Sequence, residues 1–200
     1  MALFDRAKNI LLSPKTEWQT ISTETETPHS LLMKYVIPMA LIPAIALFIG
    51  YGFIGFDVIV ARISGISWGV EMAVISFISS IIGYYISTYV IDGLAPNFGS
   101  EKNIGKSAQL VAYSYTAFWV AGIFSILPSL AILGLLSLYG IYLLYLGLPA
   151  LKKTPADKQV GYIVVSIIVI IIVVFVIQLI ITKIAYAILG NPLLGGLDHL

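Results

Sequence analysis

The sequence predicts an all-α fold: a polytopic membrane bundle of five transmembrane helices, preceded by short amphipathic helices. Apolar residues make up 59% of the 200 residues and charged residues only 10%, against about 45–50% and about 25% in soluble domains. Five segments are long and apolar enough to cross a hydrocarbon core of roughly 30 Å. The lysines and arginines also gather on alternate loops, as they do in membrane proteins.

The segment over residues 1–30 is predicted to be a cytoplasmic amphipathic element. Its apolar residues recur at helical spacing, at Leu3, Phe4, Ala7, Ile10 and Leu11. This periodicity predicts a helix lying in the headgroup region; the alternative is a disordered tail in which the periodicity is chance. Ser13-Pro14 then predicts the cap and first residue of a second short helix, which places Trp18 at the membrane interface.

The five predicted spans form a transmembrane domain over residues 31–190, followed by a short tail at 191–200. They are Leu31–Phe56, Ser67–Ile91, Ala108–Leu127, Ser129–Pro149 and Val160–Leu189. Only helices and closed barrels satisfy their own backbone in lipid, and the unbroken apolar run at 163–177 excludes a barrel's alternating strands. Pro128 predicts a tight hairpin between the third and fourth spans. Thr154-Pro155 predicts the start of the fifth helix, ahead of the bilayer.

The basic residues orient the predicted bundle. Cytoplasmic loops carry the excess of Lys and Arg, so the N-terminus is placed inside. Nine of the 11 basic residues then face the cytoplasm, at Arg6, Lys8, Lys15, Lys34, Lys102, Lys106, Lys152, Lys153 and Lys158. Only Arg62 and Lys183 face outside. The prediction is a multi-pass protein of the inner (cytoplasmic) membrane, with the C-terminus on the opposite side.

Composition excludes several classes of function. The 11 basic and 10 acidic residues nearly cancel, so no global field attracts nucleic acid. The absence of Cys removes thiolate chemistry and Cys-ligated metal. The sequence contains no P-loop, H-E-x-x-H or G-x-S-x-G motif. We therefore predict no enzymatic activity, no cofactor and no metal site. Charges at Asp5, Arg6 and Lys8 stand where a signal peptide needs apolar residues, so we expect no cleavage.

Seven residues are candidates for function: Glu71, Asp92, Ser114, Thr116, Tyr142, Lys153 and Asp157. Ionisable residues are costly inside a membrane, which singles out Glu71 in the first turn of the second span and Asp92 at its inner end. Tyr142 falls near the middle of the fourth span, where a phenol needs a partner such as Ser114 or Thr116. A buried hydrogen-bond network and a polar solute path both account for this arrangement.

Small residues recur at four-residue steps in the second and third spans. The two stripes are Ser79, Gly83 and Ser87, and Ala117, Ala121 and Ser125. Such stripes let helix backbones approach closely in lipid. Ordinary packing, a movable helix contact and the lining of a polar path are all consistent with them.

Four motifs resemble a known family over most of the chain. They are Leu11–Trp18 (LLSPKTEW), Ala95–Gly99 (APNFG), Leu110–Thr116 (LVAYSYT) and the pair Leu138–Pro149 (LYGIYLLYLGLP) with Lys153–Lys158 (KTPADK). This combination resembles the bacterial branch of the Yip-domain membrane proteins, the relatives of the eukaryotic Ypt/Rab-interacting proteins. The chain departs from the family pattern at Ala117, where the family commonly has proline.

The resemblance implies five spans and a cytoplasmic N-terminus, in agreement with the charge distribution. Eukaryotic relatives are linked to Rab GTPases, but the Asp-Leu-Tyr-Gly-Pro signature is absent here, so Rab binding is not transferred. We expect a non-enzymatic membrane protein that acts as a scaffold, membrane organiser or partner-binding protein. Its partners would be the lipid bilayer and either a further copy of itself or another protein. The alternative is a small channel or transporter formed by an oligomer.

Overall fold

A computed structural model of the protein describes residues 2–58 and 61–189. Side chains are described throughout this part except at 56–58, 61–63, 128, 129, 131 and 177–189. Five helices are long and apolar enough to cross a membrane: Pro28–Ile54, Ile66–Phe98, Ile104–Ile126, Ile132–Lys152 and Gln159–Val176, the last belonging to a helix that continues to Leu189. The predicted five-span helical bundle is therefore confirmed. The predicted tail at 191–200 lies outside the described residues.

Two short helices precede the first span. Helix α1 covers Leu3–Leu12 and helix α2 covers Pro14–Thr23, with Pro14 in the first turn as predicted. Much of their apolar side packs against the bundle, while Phe4 and Leu12 are exposed. Ala7, Ile10 and Ile21 are buried in the protein core, and Trp18 is also buried rather than placed at the membrane interface. The predicted helical periodicity is therefore present, and the buried residues of this stripe cover the bundle.

The first span stays helical through two prolines. It consists of the helix Pro28–Leu31, a π-helical turn at Leu32–Val36, the helix Ile37–Ile49 and a second π-helical turn at Gly50–Ile54. Pro38 follows directly on the first π-helical turn, whose helical backbone continues into it without a break; such turns are where a helix accommodates the hydrogen bond that proline lacks. A two-stranded hairpin follows, with β1 (Phe56–Val58) antiparallel to β2 (Ala61–Ile63) and Asp57 opposite Arg62 in the ladder.

The remaining spans mix helix types. The second consists of Ile66–Leu94 continued by the 3₁₀ helix Ala95–Phe98. The third consists of Ile104–Ser114, Thr116–Ala121 and the 3₁₀ helix Gly122–Ile126. The hairpin at Pro128 is confirmed, because Leu127 is extended and the 3₁₀ helix Pro128–Leu138 starts directly after it, leading into Tyr139–Lys152.

The start of the fifth helix differs from the prediction. Pro155 opens a turn in which Lys158 N–H donates to its carbonyl, and the helix begins only at Gln159. The hydroxyl of Thr154 does not cap the helix, since it bonds Ser100 at 2.8 Å. The Thr154 hydroxyl, which the local sequence pattern predicts to cap the helix, therefore bonds a distant loop instead.

The spans pack in a defined order. The first span packs on the second and third, the fourth packs on the third, and the fifth packs on the second and fourth. The first and second spans cross at glycines: a Cβ on Gly69 would lie 2.7 Å from the backbone of Gly52. Gly83, lower on the same helix, has nothing within 4 Å of such an atom. The backbones of the first and second spans thus approach closely at Gly69, and the predicted small-residue stripe of the second span makes no such contact at Gly83.

This contrast yields a prediction. Gly69→Ala should lower the unfolding temperature, because its methyl group collides with backbone that cannot move without parting two spans. Gly83→Ala should leave it unchanged or raised, since Ala favours a helix over Gly by about 1 kcal/mol and the site is open. Thermal unfolding of the two variants in detergent, followed by circular dichroism, provides the measurement. Equal unfolding temperatures for the two variants would contradict the crossing.

Candidate functional site

A buried ion pair joins the ends of three spans. Asp92 lies in the last turns of the helix Ile66–Leu94 of the second span. The helix dipole disfavours an acid there, so a nearby cation is needed. Lys152, the last residue of the fourth span, donates from Nζ to Asp92 Oδ1 at 3.0 Å. The same Nζ donates to Ser107 Oγ at 2.7 Å. Asp92 Oδ1 also accepts from Ser107 Oγ at 3.0 Å and from Asn103 N–H at 2.8 Å. We call these four residues the hub.

The hub corrects the prediction for Lys152. The basic-residue count placed Lys152 in a cytoplasmic loop, but its side chain is 0% exposed. Desolvating a charge costs several kcal/mol, and this cost is met only by close partners. Lys152 has three oxygen partners within 3.3 Å, the third being the Asn103 carbonyl. The pair therefore fixes where the second, third and fourth spans end relative to each other.

Two loops lie against each other directly outside the hub. The first, residues 99–103, opens with Gly99 in the left-handed region at φ 62°, and the second covers residues 153–158. Glu101 N–H donates to the Lys152 carbonyl at 2.8 Å, and Lys153 Nζ contacts Glu101 Oε1 at 2.5 Å. Further contacts tie in the fifth span: Phe98 stacks on Tyr162 at 4.9 Å between ring centroids, and the Tyr162 hydroxyl donates to the Ile91 carbonyl.

The N-terminal helices are held by a second cluster of buried charges. Arg6 donates to Glu17 Oε1 at 2.6 Å and to Glu24 Oε1, and its guanidinium lies 5.3 Å from the centre of the Tyr113 ring. Burial opposes the charge on Arg6, but the hydrogen bond to Glu24 and the surrounding negative groups leave its pKa raised. From the third span, Lys106 Nζ donates to the carbonyls of Ser22 and Glu24 at 2.8 and 2.6 Å.

Helix α2 is also packed directly onto the fourth span. A Cβ on Gly147 would lie 2.8 Å from the Trp18 ring, so only glycine lets the indole lie flat on that helix. Trp18 meets Tyr113 edge-on at 6.3 Å between ring centroids. The first helix is tied through Tyr139, whose hydroxyl donates to the Leu11 carbonyl at 3.0 Å. The N-terminal segment is therefore an integral part of the bundle, and the end of α1 contacts the middle of the fourth span.

We call the surface formed by α1, α2 and residues 99–103 and 153–158 the platform. Three of the seven predicted candidates lie at this end. Asp92 belongs to the hub, while Lys153 and Asp157 are exposed on the second loop. The sequence predicts Asp92 at the inner end of the second span and Lys153 in a cytoplasmic loop, and the fold brings both, with Asp157, to one end of the bundle. The contacts that hold this arrangement come from Lys152, Arg6 and Glu17, none of which is among the seven candidates.

The other four candidates do not meet. Glu71 is exposed near the opposite end of the second span, and Tyr142 is exposed on the fourth. The Thr116 hydroxyl bonds the Tyr35 hydroxyl at 2.7 Å. Ser114 instead lines a cavity between spans. Tyr142 thus has neither of the partners suggested for it, because it points away from the third span.

A signal for the missed residues exists in the sequence. Lys152 follows an apolar run with no intervening loop residue, so it belongs to the helix and not to the solvent. The helical pattern of α1 predicts Arg6 on the polar face, yet Arg6 is buried. Arg6 lies four residues before Ile10 and so borders the apolar stripe, where a charge needs a close partner. Among the described residues, no group of three His, Cys, Asp or Glu side chains is placed to hold a metal ion.

Comparison with known proteins gives one family match and two similar sequences. Residues 8–178 match the Yip1 domain family. The protein named "Inner membrane protein YohC" from Escherichia coli K12 is 29% identical over 143 residues, covering 68% of this chain and 73% of the relative. The protein of the same name from Escherichia coli O6:H1 strain CFT073 gives the same values. No solved structure matches the chain.

The hub can be tested with adjacent lysines. Lys152→Met should lower the free energy of unfolding by about 3–5 kcal/mol, because Asp92 is left buried without its cation. Lys153→Met removes only an exposed pair and should cost at most about 1 kcal/mol. Denaturant titration of both variants in detergent measures the difference. Adding Asp92→Leu to Lys152→Met should recover part of the loss; an additive further loss would argue against the pairing.

Proposed function

The chain belongs to the Yip1 domain family, and from this premise we propose that it is a non-enzymatic inner-membrane scaffold that binds a partner protein through its platform. We further propose that the platform faces the cytoplasm. The bundle anchors the protein in the bilayer, and the platform supplies a fixed polar surface for recognition. The name of the Escherichia coli relatives supports the inner-membrane location.

The observation that carries the proposal is the ordering of the platform. Loops at the ends of spans commonly stay mobile, whereas here two buried charge clusters hold them. The hub fixes residues 99–103 and 153–158, and Arg6 with Glu17 fixes α1 and α2. Burying charges gains little net stability compared with apolar packing. A pre-ordered surface does, however, lower the entropy cost of binding a partner.

The charge of the platform indicates the chemistry of the partner. Five exposed lysines lie on the platform: Lys8, Lys15, Lys102, Lys153 and Lys158. They outnumber the three exposed acids Asp5, Glu101 and Asp157. A net positive surface favours a partner with an acidic face and speeds the encounter with it. We therefore propose that an acidic surface of another protein docks on the platform.

The channel or transporter alternative has weaker support. Of the four residues suggested for its path, only Ser114 lines the cavity between the spans. Thr116 is occupied by Tyr35, while Glu71 and Tyr142 are exposed on outer surfaces. These four side chains therefore do not form a continuous polar path through the bundle.

The orientation is testable because the chain has no cysteine. Single replacements Ser64→Cys, between β2 and the second span, and Lys153→Cys, on the platform, each introduce one exposed thiol. A membrane-impermeant maleimide applied to intact spheroplasts should label Ser64→Cys, and should label Lys153→Cys only after the membrane is opened. The reverse pattern would place the platform outside and overturn the proposed orientation.

Partner binding is testable by crosslinking in cells. A photo-reactive residue replacing exposed Ala156, which leaves every charge in place, should give a discrete adduct with another protein. Adding Lys153→Glu and Lys158→Glu should abolish that adduct, because the acidic partner is repelled. Lys153→Arg with Lys158→Arg should retain it.

The control photo-reactive site is Ile78, which is exposed on the lipid-facing side of the second span. It should give no such adduct. An adduct at Ala156 that survives the charge reversal would argue against electrostatic docking. The absence of any adduct at Ala156 would argue against the platform as a binding surface.

A further inference from the structure

A cavity of about 450 Å³ lies inside the membrane-spanning part of the bundle. The second, third, fourth and fifth spans all contribute to its walls. It extends along the second span from Ile91 to Ser76, a rise of roughly 22 Å at 1.5 Å per residue. Seven serines and two glycines alternate in the wall with isoleucine and aromatic side chains, and no charged residue lines it. The cavity is therefore long, mostly apolar and uncharged.

Serines line the cavity along its whole length, and three of them, Ser87, Ser114 and Ser166, lie toward the end nearer the platform. Ser166 lies one helical turn beyond Tyr162, whose hydroxyl donates to the Ile91 carbonyl. Ser87 lies one turn before Ile91 and bonds the Tyr115 hydroxyl at 2.6 Å. The hydroxyls of Ser114 and Ser166 are buried in the cavity wall and find no hydrogen-bond partner in the part of the chain that the structure describes.

Trp119 adds a third such group, since this cavity-lining indole is fully buried and its N–H is also without a partner among the described residues. A buried polar group left unpaired costs about 1–3 kcal/mol. Three of them around one cavity indicate a ligand that supplies hydrogen-bond acceptors. Hydroxyl and indole donors both suit an ester or carboxyl oxygen.

The cavity opens toward the bilayer. Ile141 on the fourth span and Ile171 on the fifth both line it, yet they are 43% and 61% exposed. Whatever fills it therefore comes from the surrounding lipid. A helix is excluded as occupant, because a cylinder of about 10 Å diameter and 30 Å length needs roughly 2,400 Å³. A single hydrocarbon chain is a narrower occupant that suits apolar walls.

We propose that this cavity binds one acyl chain of a membrane lipid, with the ester or carboxyl oxygens held by Ser114, Ser166 and Trp119. The chain lies between the second and fifth spans and completes their packing. The shared chemistry is an acyl chain ending in an acceptor oxygen, which a diacyl phospholipid and a free fatty acid both offer. The proposal is independent of partner binding at the platform.

The test uses a variant that fills the cavity. Gly83 lines it and has open space where a Cβ would stand, so Gly83→Phe occupies the volume without a backbone collision. The full chain is reconstituted in phosphatidylcholine vesicles that contain a phosphatidylcholine with a diazirine on one acyl chain, and a parallel sample carries a diazirine fatty acid. After illumination, mass spectrometry of peptides locates the label.

In the wild type, label should appear on residues 76–91 and 111–119 on the cavity side. Gly83→Phe should lower it about tenfold, which corresponds to about 1.4 kcal/mol of binding free energy. Gly93→Phe is the matched control, because Gly93 lies on the same helix with open space but outside the cavity lining. It should leave the labelling unchanged. Ser114→Ala with Ser166→Ala should lower it about threefold for each lost hydrogen bond.

Labelling of the lipid-facing residues Val74 and Ile78 reports folding and reconstitution, and it should be equal in all variants. Native mass spectrometry then distinguishes the sources, since a diacyl lipid and a fatty acid add different masses. Cavity labelling that is absent in the wild type, as for a water-filled space, would overturn the proposal. Labelling that persists in Gly83→Phe at the wild-type level would overturn it as well.

Discussion

The arrangement of the bundle end depends on one buried ion pair, Lys152 with Asp92. Both residues lie near helix ends. Their side chains are buried, so solvent does not screen one charge from the other. Burying either charge without its partner would cost several kcal/mol, so the second and fourth spans must end at the same level. Ser107 and Asn103 satisfy the remaining bonds of the pair and bring the third span to that level. Both loops follow from this geometry, because Glu101 and Lys153 continue directly from it.

The two halves of the protein are stabilised in different ways. At the platform, charged and aromatic side chains pair across helices, as Arg6 does with Glu17 and Phe98 with Tyr162. Within the spans, contact depends on glycine and proline surfaces: a Cβ on Gly69 would meet Gly52, and one on Gly122 would meet Pro43 at 2.5 Å. The fourth span approaches the third in the same way, since a Cβ on Gly140 would lie 2.8 Å from the Ser114 carbonyl oxygen. In the described part of the fifth span, Gly161 makes no such close backbone contact, and a cavity remains between this span and the second.

The sequence predicted those parts of the fold that depend on local properties. Five apolar runs, the break at Pro128 and the start of α2 at Pro14 each depend on neighbouring residues. Features that depend on distant residues could not be predicted in this way. Thr154 has the local pattern of a cap, yet Ser100, 54 residues away, takes its hydroxyl. Ser79, Gly83 and Ser87 have the pattern of a helix contact, but only the position of the fifth span decides that they line a space.

The lining of the cavity also separates two functional interpretations that the sequence left open. Paths for ions or protons through membranes are marked by ionisable side chains, because the permeating charge needs them. The described residues around this cavity are serine, glycine, aliphatic and aromatic, with Tyr115 as the one acidic hydroxyl among them, already bonded to Ser87. Such a wall offers weak, neutral hydrogen bonds and a large apolar surface. It suits a neutral chain that stays in place better than a charged solute that must pass.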